Sequence, residues 1–171
     1  MKKIDQTRTL VFCALLAAAA MTIGYIESLF PLPLPIPGAR IGLANTVVLL
    51  ALMLFGAKAA AAVLAVKVVL SALLFGTPIS MLYAAAGGTL ALTAMALLGR
   101  CKGISPIGQS VAGAVLHNLG QVLVAMLLTA TPRLLIYFTP LAFLAMLTGT
   151  LSGIAALHAH RLLAVLRLNK T

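Results

Sequence analysis

The chain has 171 residues, of which 63% are hydrophobic and 8% charged, and its mean hydropathy is +1.16. Soluble domains are closer to half apolar and a quarter charged, so this composition excludes a soluble domain and indicates a multi-pass protein of the plasma (inner) membrane. The net charge of +10 does not indicate nucleic-acid binding, because the positive residues are scattered at predicted helix ends instead of following one face.

Six apolar spans follow one another and predict one compact all-α domain over residues 1–171. They lie at about 9–26, 41–56, 58–76, 79–98, 108–130 and 134–158. A bilayer needs about 20 residues per helix, so the second span is short. The N-terminal segment also has features of a signal peptide, but its apolar run continues to Ile26, which favours a first transmembrane helix.

Helix breakers separate the predicted spans. The first connection, SLFPLPLPIPGAR at 28–40, has four alternating prolines and predicts an extended segment across the outer mouth of the bundle. Gly56 separates the second and third spans. Pro140 lies within the sixth predicted span, where it either kinks the helix or marks its true start.

The distribution of positive charge predicts that both termini are cytoplasmic. With the N-terminus inside, two positive residues, Arg40 and Arg133, fall outside, and Lys67 falls within the membrane. Nine fall on the inner side: Lys2, Lys3, Arg8, Lys58, Arg100, Lys102, Arg161, Arg167 and Lys170. Inner loops of membrane proteins carry the excess of Lys and Arg.

Polar side chains within the spans predict a substrate-binding pocket that opens to the outside. Lys67 and His117 fall at similar depth near the midplane, with Gln121 one turn further out. His117 and Gln121 share a helix face with Gly113 and Gly120. A lysine at this depth is costly and, if no carboxylate pairs with it, favours an anionic ligand; snorkelling or bonds to backbone carbonyls are the alternative.

The remaining candidate binding residues are less specific. Asn118 follows His117 by about 100° around the helix, so it serves either the ligand or an interhelical hydrogen bond. Asn45, Tyr83 and Arg40 lie toward the outer surface, where packing and interfacial roles are equally open. Glu27 also falls at that surface, which predicts that it is too far from Lys67 to pair with it.

No metal site or other cofactor is predicted. One histidine without nearby acids or thiolates is a poor ligand set for a metal. Cys13 and Cys101 lack the spacing of a metal site, and both fall near the predicted cytoplasmic side, which is not oxidising. They are therefore predicted to be free thiols.

Small residues recur at helical spacing. Gly149 and Gly153, together with the pair at 87–88, predict close helix packing. Ala14 and Ala18 lie one turn apart in the first span, where they either pack within the bundle or form a docking surface.

Four segments carry a resemblance to a family. GARIGLAN at 38–45, LAVKVVLSALLFG at 64–76, SMLYAAAGGTLAL at 80–92 and GAVLHNLGQVLVA at 113–125 resemble the Gx transporter family, also labelled heptaprenyl diphosphate synthase component I. That family commonly has lysine where Arg40 stands. It is similar to the S components of energy-coupling factor (ECF) transporters, which implies six helices. The resemblance also implies that Ala14 and Ala18, as an AxxxA pattern, contact a transmembrane coupling subunit.

Three functions remain open at this point. The first is a substrate-binding subunit that captures a small, partly apolar, anionic molecule, for which the family label implies an isoprenoid or quinone precursor. No P-loop motif is present, so ATPase partners would supply the energy. The second is a non-catalytic membrane component of a prenyl diphosphate synthase, since Asp5 and Glu27 cannot form a Mg²⁺-binding carboxylate cluster. The third is a structural anchor, in which Lys67 and His117 are replaceable.

Overall fold

The computed structural model describes residues 2–29 and 42–168, and the side chains of residues 6–29 and 42–163. Within these ranges the chain is all-helical, which confirms the predicted fold class. The helices are α1 (Lys2–Ser28), α2 (Asn45–Phe55), α3 (Ala57–Phe75), α4 (Pro78–Leu98), α5 (Pro106–Thr129), a 3-10 helix (Pro132–Tyr137) and α6 (Phe138–Leu168).

The outer surface of the bundle is suited to lipid. In the part of the chain that the structure describes, five segments are long and apolar enough to cross a membrane, and they correspond to α1, α3, α4, α5 and the 3-10 helix with α6. Large apolar side chains such as Leu15, Leu73, Leu127 and Phe143 are exposed on them. Lipid tails solvate such a surface, whereas water would not. The polar side chains discussed below are turned toward the interior.

The helix α2 differs from the second predicted span, 41–56. It has 11 residues and rises about 16 Å, roughly half the thickness of the hydrocarbon core, so it is too short to cross by itself. The helix begins late because Gly42 has a φ of +89°, which is incompatible with an α-helix. In addition, the N–H groups of Gly42 and Leu43 donate to the carboxylate of Glu27 in α1.

The boundaries of the other helices follow from local chemistry. Gly56 separates α2 from α3 with a φ of +82°. A Cβ there would meet none of the described residues beyond its chain neighbours within 4 Å, so the backbone angle, not a lack of space, favours glycine. Thr77 and Ser80 form a reciprocal capping box at the start of α4. Ser105 caps α5 by accepting a hydrogen bond from the Gly108 N–H.

Pro140 lies in the first turn of α6, directly after the 3-10 helix. Proline is tolerated in this turn because the N–H groups there have no helical acceptor. The interpretation that Pro140 marks the true start of the last long helix is therefore confirmed, and the alternative of a kink within it is not.

Glycines allow the central helix α5 to approach both of its neighbours. A Cβ on Gly120 would lie 2.8 Å from the Gly87 Cα of α4. On the other side, a Cβ on Gly149 of α6 would lie 2.8 Å from the Val111 Cα, and Gly153 makes a similar approach to Ile107. The predicted role of these glycines in close packing is confirmed.

The apolar core lies in two parts. The larger cluster joins α1, α2, α3, α4 and α6 and includes Leu49, Val63 and Met95, which are almost fully buried. A smaller cluster includes Val122 and Leu141 and joins α4, α5 and α6. Polar side chains from four helices, α1, α3, α4 and α5, meet in the interior of the bundle.

Candidate substrate-binding site

A small cavity, here called the capture cavity, lies between α1, α3, α4, α5 and the backbone that leads into α2. Its volume is about 20 Å³, which is room for about one water molecule. The residues that line it are Gly24, Glu27, Gly42, Ala44, Lys67, Ser80, Tyr83, Ala84, His117 and Gln121.

Four of the predicted binding residues meet at this cavity. Lys67 of α3, Tyr83 of α4, and His117 and Gln121 of α5 all line it. They are buried, with exposed fractions of 7% for Lys67, 3% for His117 and 2% for Gln121. The sequence predicted that His117 and Gln121 share one helix face and that Lys67 lies at a similar depth. In the structure these three side chains line the same cavity.

Two glycines frame the imidazole of His117. A Cβ on Gly87 would lie 2.7 Å from the His117 carbonyl oxygen and 2.8 Å from its Nδ1. A Cβ on Gly42 would lie 3.0 Å from the His117 Cδ2 and 3.1 Å from the Asn45 Nδ2. Any larger residue at either position would push the ring away from its present place, so the backbone itself orients His117.

Glu27 belongs to the site, which corrects the expectation that it lies at the outer surface too far from Lys67. It is 7% exposed and lines the same cavity as Lys67. Ala17, Ala20, Gly24 and Glu27 form the buried face of α1 at helical spacing. This spacing in the sequence indicates that Glu27 faces the interior, but the proline-rich segment directly after α1 favoured a position at the outer surface.

The charges in the cavity are therefore of both signs. The Lys67 ammonium shares its enclosure with a carboxylate, so the idea of a buried cation remote from any acid is wrong. Part of the negative charge of Glu27 is compensated by the N–H groups of Gly42 and Leu43, the second at 3.4 Å. These bonds also fix the backbone that enters α2 against α1.

The two asparagines have different environments. Asn118 does not line the capture cavity, and its Nδ2 donates to the Leu141 carbonyl of α6 at 3.1 Å, so it ties α5 to α6. Asn45 is 7% exposed, and its amide has no hydrogen-bond partner among the described residues. A buried amide without a partner costs free energy, but Asn45 does not line the capture cavity, so its role in ligand binding stays a prediction.

The predicted coupling residues and the cysteines do not line the capture cavity. Arg40 lies outside the described residues. Ala14 and Ala18 are exposed, on a face of α1 next to the buried face that carries Ala17 and Ala20. Cys13 and Cys101 are free thiols, as predicted. In the described part of the chain, no three His, Cys, Asp or Glu side chains come together in a group that could hold a metal ion.

The fold and the buried polar site together define a membrane protein of the S-component class of folds. A solved structure described as the S component of a bacterial ECF transporter matches with a TM-score of 0.67 and 21% sequence identity. The match covers 94% of this chain and 98% of that chain. The likeness shows a shared fold and confirms the resemblance that the sequence motifs indicated.

The family follows from the sequence itself. A family profile described as heptaprenyl diphosphate synthase component I matches residues 16–159. The chain therefore belongs to that family, in agreement with the four segments that carried the resemblance. No curated protein gives a significant sequence match.

Proposed function

We propose that this chain is the substrate-binding membrane subunit of an ECF-type transporter, and that it captures a small, partly apolar molecule from outside at the capture cavity. The observation that carries the proposal is the joint burial of Lys67, His117 and Gln121 around one cavity in a bundle of the S-component fold. Polar and ionisable groups inside a membrane are expensive and typically mark a substrate pathway.

The ligand we propose has an anionic group and an apolar body. The Lys67 ammonium and the His117 ring offer contacts for the anion, while the backbone N–H groups of Gly42 and Leu43 hold part of the charge of Glu27. Tyr83 and Ala84 offer apolar surface. The family description makes isoprenoid diphosphates and quinone precursors the first ligands to test.

Binding requires the cavity to open. Its volume of about 20 Å³ is far below the roughly 300–1,000 Å³ of small-molecule sites. The wall formed by Gly42 and Ala44 precedes the short helix α2 and is held to α1 through the carboxylate of Glu27. Separation of this wall from His117 is the movement that would admit a ligand.

Transport would also require partner subunits. The chain contains no P-loop, so ATPases and a transmembrane coupling subunit would supply and transmit the energy. The exposed pair Ala14 and Ala18 on α1 is the surface we propose for the coupling subunit, because small side chains allow a helix to approach closely.

The test is uptake together with ligand identification. Native mass spectrometry of the purified chain should detect a bound small molecule, and cells that contain the chain and the energising subunits should take up that molecule in labelled form. Cells that lack the ATPases should not. A chain that carries no ligand and adds nothing to uptake would contradict the proposal.

The family description supports a second candidate, an accessory membrane component of a prenyl diphosphate synthase. Adding the chain in liposomes to the soluble synthase subunit would then change the rate or length of prenyl diphosphate products. The same addition has no effect on product formation if the chain functions only in transport.

A further inference from the structure

A second and larger cavity lies at the opposite end of the bundle. Its volume is about 480 Å³, within the range of small-molecule sites. Gly99 lines it at the C-terminal end of α4, whereas Tyr83 near the start of α4 lines the capture cavity. These positions are about 24 Å apart along a helix at 1.5 Å per residue. The two cavities are therefore separate sites.

Three polar side chains from three different elements converge on this second cavity. Gln109 of α5 is 9% exposed, His160 of α6 is half-buried, and Arg100 after α4 is exposed. A buried amide, an imidazole and a guanidinium offer several hydrogen-bond donors to one ligand, and the guanidinium suits the bidentate geometry of a phosphate group.

The electrostatic surroundings favour an anion. Lys58, Lys102 and Arg161 are exposed and lie within two residues in the chain of positions that line the cavity. Among the described side chains the only carboxylate is that of Glu27, which lines the other cavity. Positive charge at this end is therefore not neutralised by any described acid.

Backbone groups at this end add to the same preference. Ala57, the first residue of α3, lines the cavity, and no side chain that the structure describes caps the N-terminus of α3. Helix N-termini favour negative charge. The carbonyl groups at the C-terminus of α4, in contrast, accept from the N–H groups of Gly99, Arg100 and Cys101.

The rest of the cavity wall is apolar. Leu52 and Met53 of α2 and Met95 of α4 line it. Methionine adapts its shape to irregular apolar ligands. The cavity thus combines a polar, cationic rim with an apolar wall, which suits an amphipathic molecule.

We propose that the second cavity binds the phosphate group of an amphipathic or small phosphorylated molecule, with Arg100, Gln109 and His160 around the phosphate. Two sources offer this chemistry: an anionic phospholipid of the bilayer and a soluble phosphate. In the predicted orientation this end faces the cytoplasm, where the membrane surface is anionic.

The experiment compares three variants with the wild-type chain. Arg100→Gln removes the rim charge, and Gln109→Leu removes the buried amide while keeping Arg100. Arg133→Gln, at the other end of the bundle, is the matched control for the loss of one exposed arginine. Native mass spectrometry from nanodiscs measures retained phosphatidylglycerol against phosphatidylcholine. A parallel thermal unfolding series compares sodium phosphate with sodium chloride at equal ionic strength.

A phospholipid site predicts that wild type and Arg133→Gln retain phosphatidylglycerol preferentially, and that Arg100→Gln and Gln109→Leu lose this preference by about tenfold. A site for soluble phosphate predicts no lipid preference, but a phosphate-dependent rise in the unfolding midpoint that Arg100→Gln abolishes and Arg133→Gln keeps. The proposal is overturned if neither effect occurs, or if Arg100→Gln and Arg133→Gln behave alike.

Discussion

Gly120→Ala should disturb both the packing of α5 and the site that α5 carries. The new Cβ would stand 2.8 Å from the Gly87 Cα, 2.9 Å from the Gly87 N and 3.0 Å from the Ala86 carbonyl carbon. All three atoms are backbone, so relief requires α4 and α5 to separate by roughly 0.7–1 Å to reach ordinary carbon contacts. Overpacking of this kind costs about 1–3 kcal/mol, and the higher helix propensity of alanine offsets about 1 kcal/mol.

The expected net result is a free energy of unfolding that is lower than that of wild type by up to about 2 kcal/mol. Because His117 and Gln121 move with α5, occupancy of the capture cavity should fall as well. Thermal unfolding followed by circular dichroism in one detergent measures the first effect, and native mass spectrometry of the co-purifying small molecule measures the second.

The control for this prediction is Gly108→Ala in the first turn of the same helix. A Cβ there would meet nothing closer than the Ile104 Cγ2 at 3.4 Å, an ordinary contact, so the change should leave stability equal or slightly raised. If Gly120→Ala unfolds at or above the midpoint of Gly108→Ala with unchanged ligand, the close approach of α4 and α5 does not position the site.

Three further predictions concern coupling, the start of α2 and topology. Ala18→Leu adds bulk to the exposed face of α1 and should abolish uptake while leaving ligand retention by the isolated chain unchanged; loss of both would mean that Ala18 holds the fold. Glu27→Gln replaces the charged acceptor of the Gly42 and Leu43 N–H groups and should lower the free energy of unfolding by about 1 kcal/mol, measured by thermal unfolding; an unchanged midpoint would show that the charge is not needed. A reporter fused after Thr171 should be active only in its cytoplasmic form, and external labelling there would refute the predicted orientation.

Much of the fold was predictable because its signals are local. Apolar runs, glycine and proline breakers and the capping residues are each read from a few neighbouring residues. They give the bounds of α3, α4 and α5 to within two positions, whereas α1 begins before its predicted span and α6 continues well past its own. The start of α2 was not predictable in this way. It depends on a hydrogen bond between Gly42 and Glu27, which are 15 residues apart. It also depends on the φ of +89° at Gly42, and the sequence alone does not indicate whether a glycine adopts this angle or continues a helix.

The candidate site shows the same division. Spacing alone placed His117 and Gln121 on one face, and membrane depth placed Lys67 beside them, since a helix converts residue number into height. The position of Glu27 was not predicted because the proline-rich segment that follows it indicated the outer surface. In the structure Glu27 lies on the same buried face of α1 as Ala17, Ala20 and Gly24. The second cavity was missed because Arg100, Gln109 and His160 come from separate elements and meet only after folding.

The proposed function requires that Lys67 and its neighbours at the capture cavity hold the transported molecule. The most direct measurement is ligand occupancy by native mass spectrometry for wild type, Lys67→Met and Lys58→Met. Lys58 is the exposed lysine at the start of the same helix and serves as the matched control. A Lys67→Met/Glu27→Gln double variant accompanies them, because it removes both buried charges and avoids leaving a carboxylate alone in the cavity.

We expect wild type and Lys58→Met to carry the same bound small molecule. Lys67→Met and the double variant should lose it by at least about tenfold in occupancy at limiting ligand, equivalent to about 1.4 kcal/mol. A folded double variant that retains the molecule as well as wild type would contradict the claim that Lys67 binds the substrate.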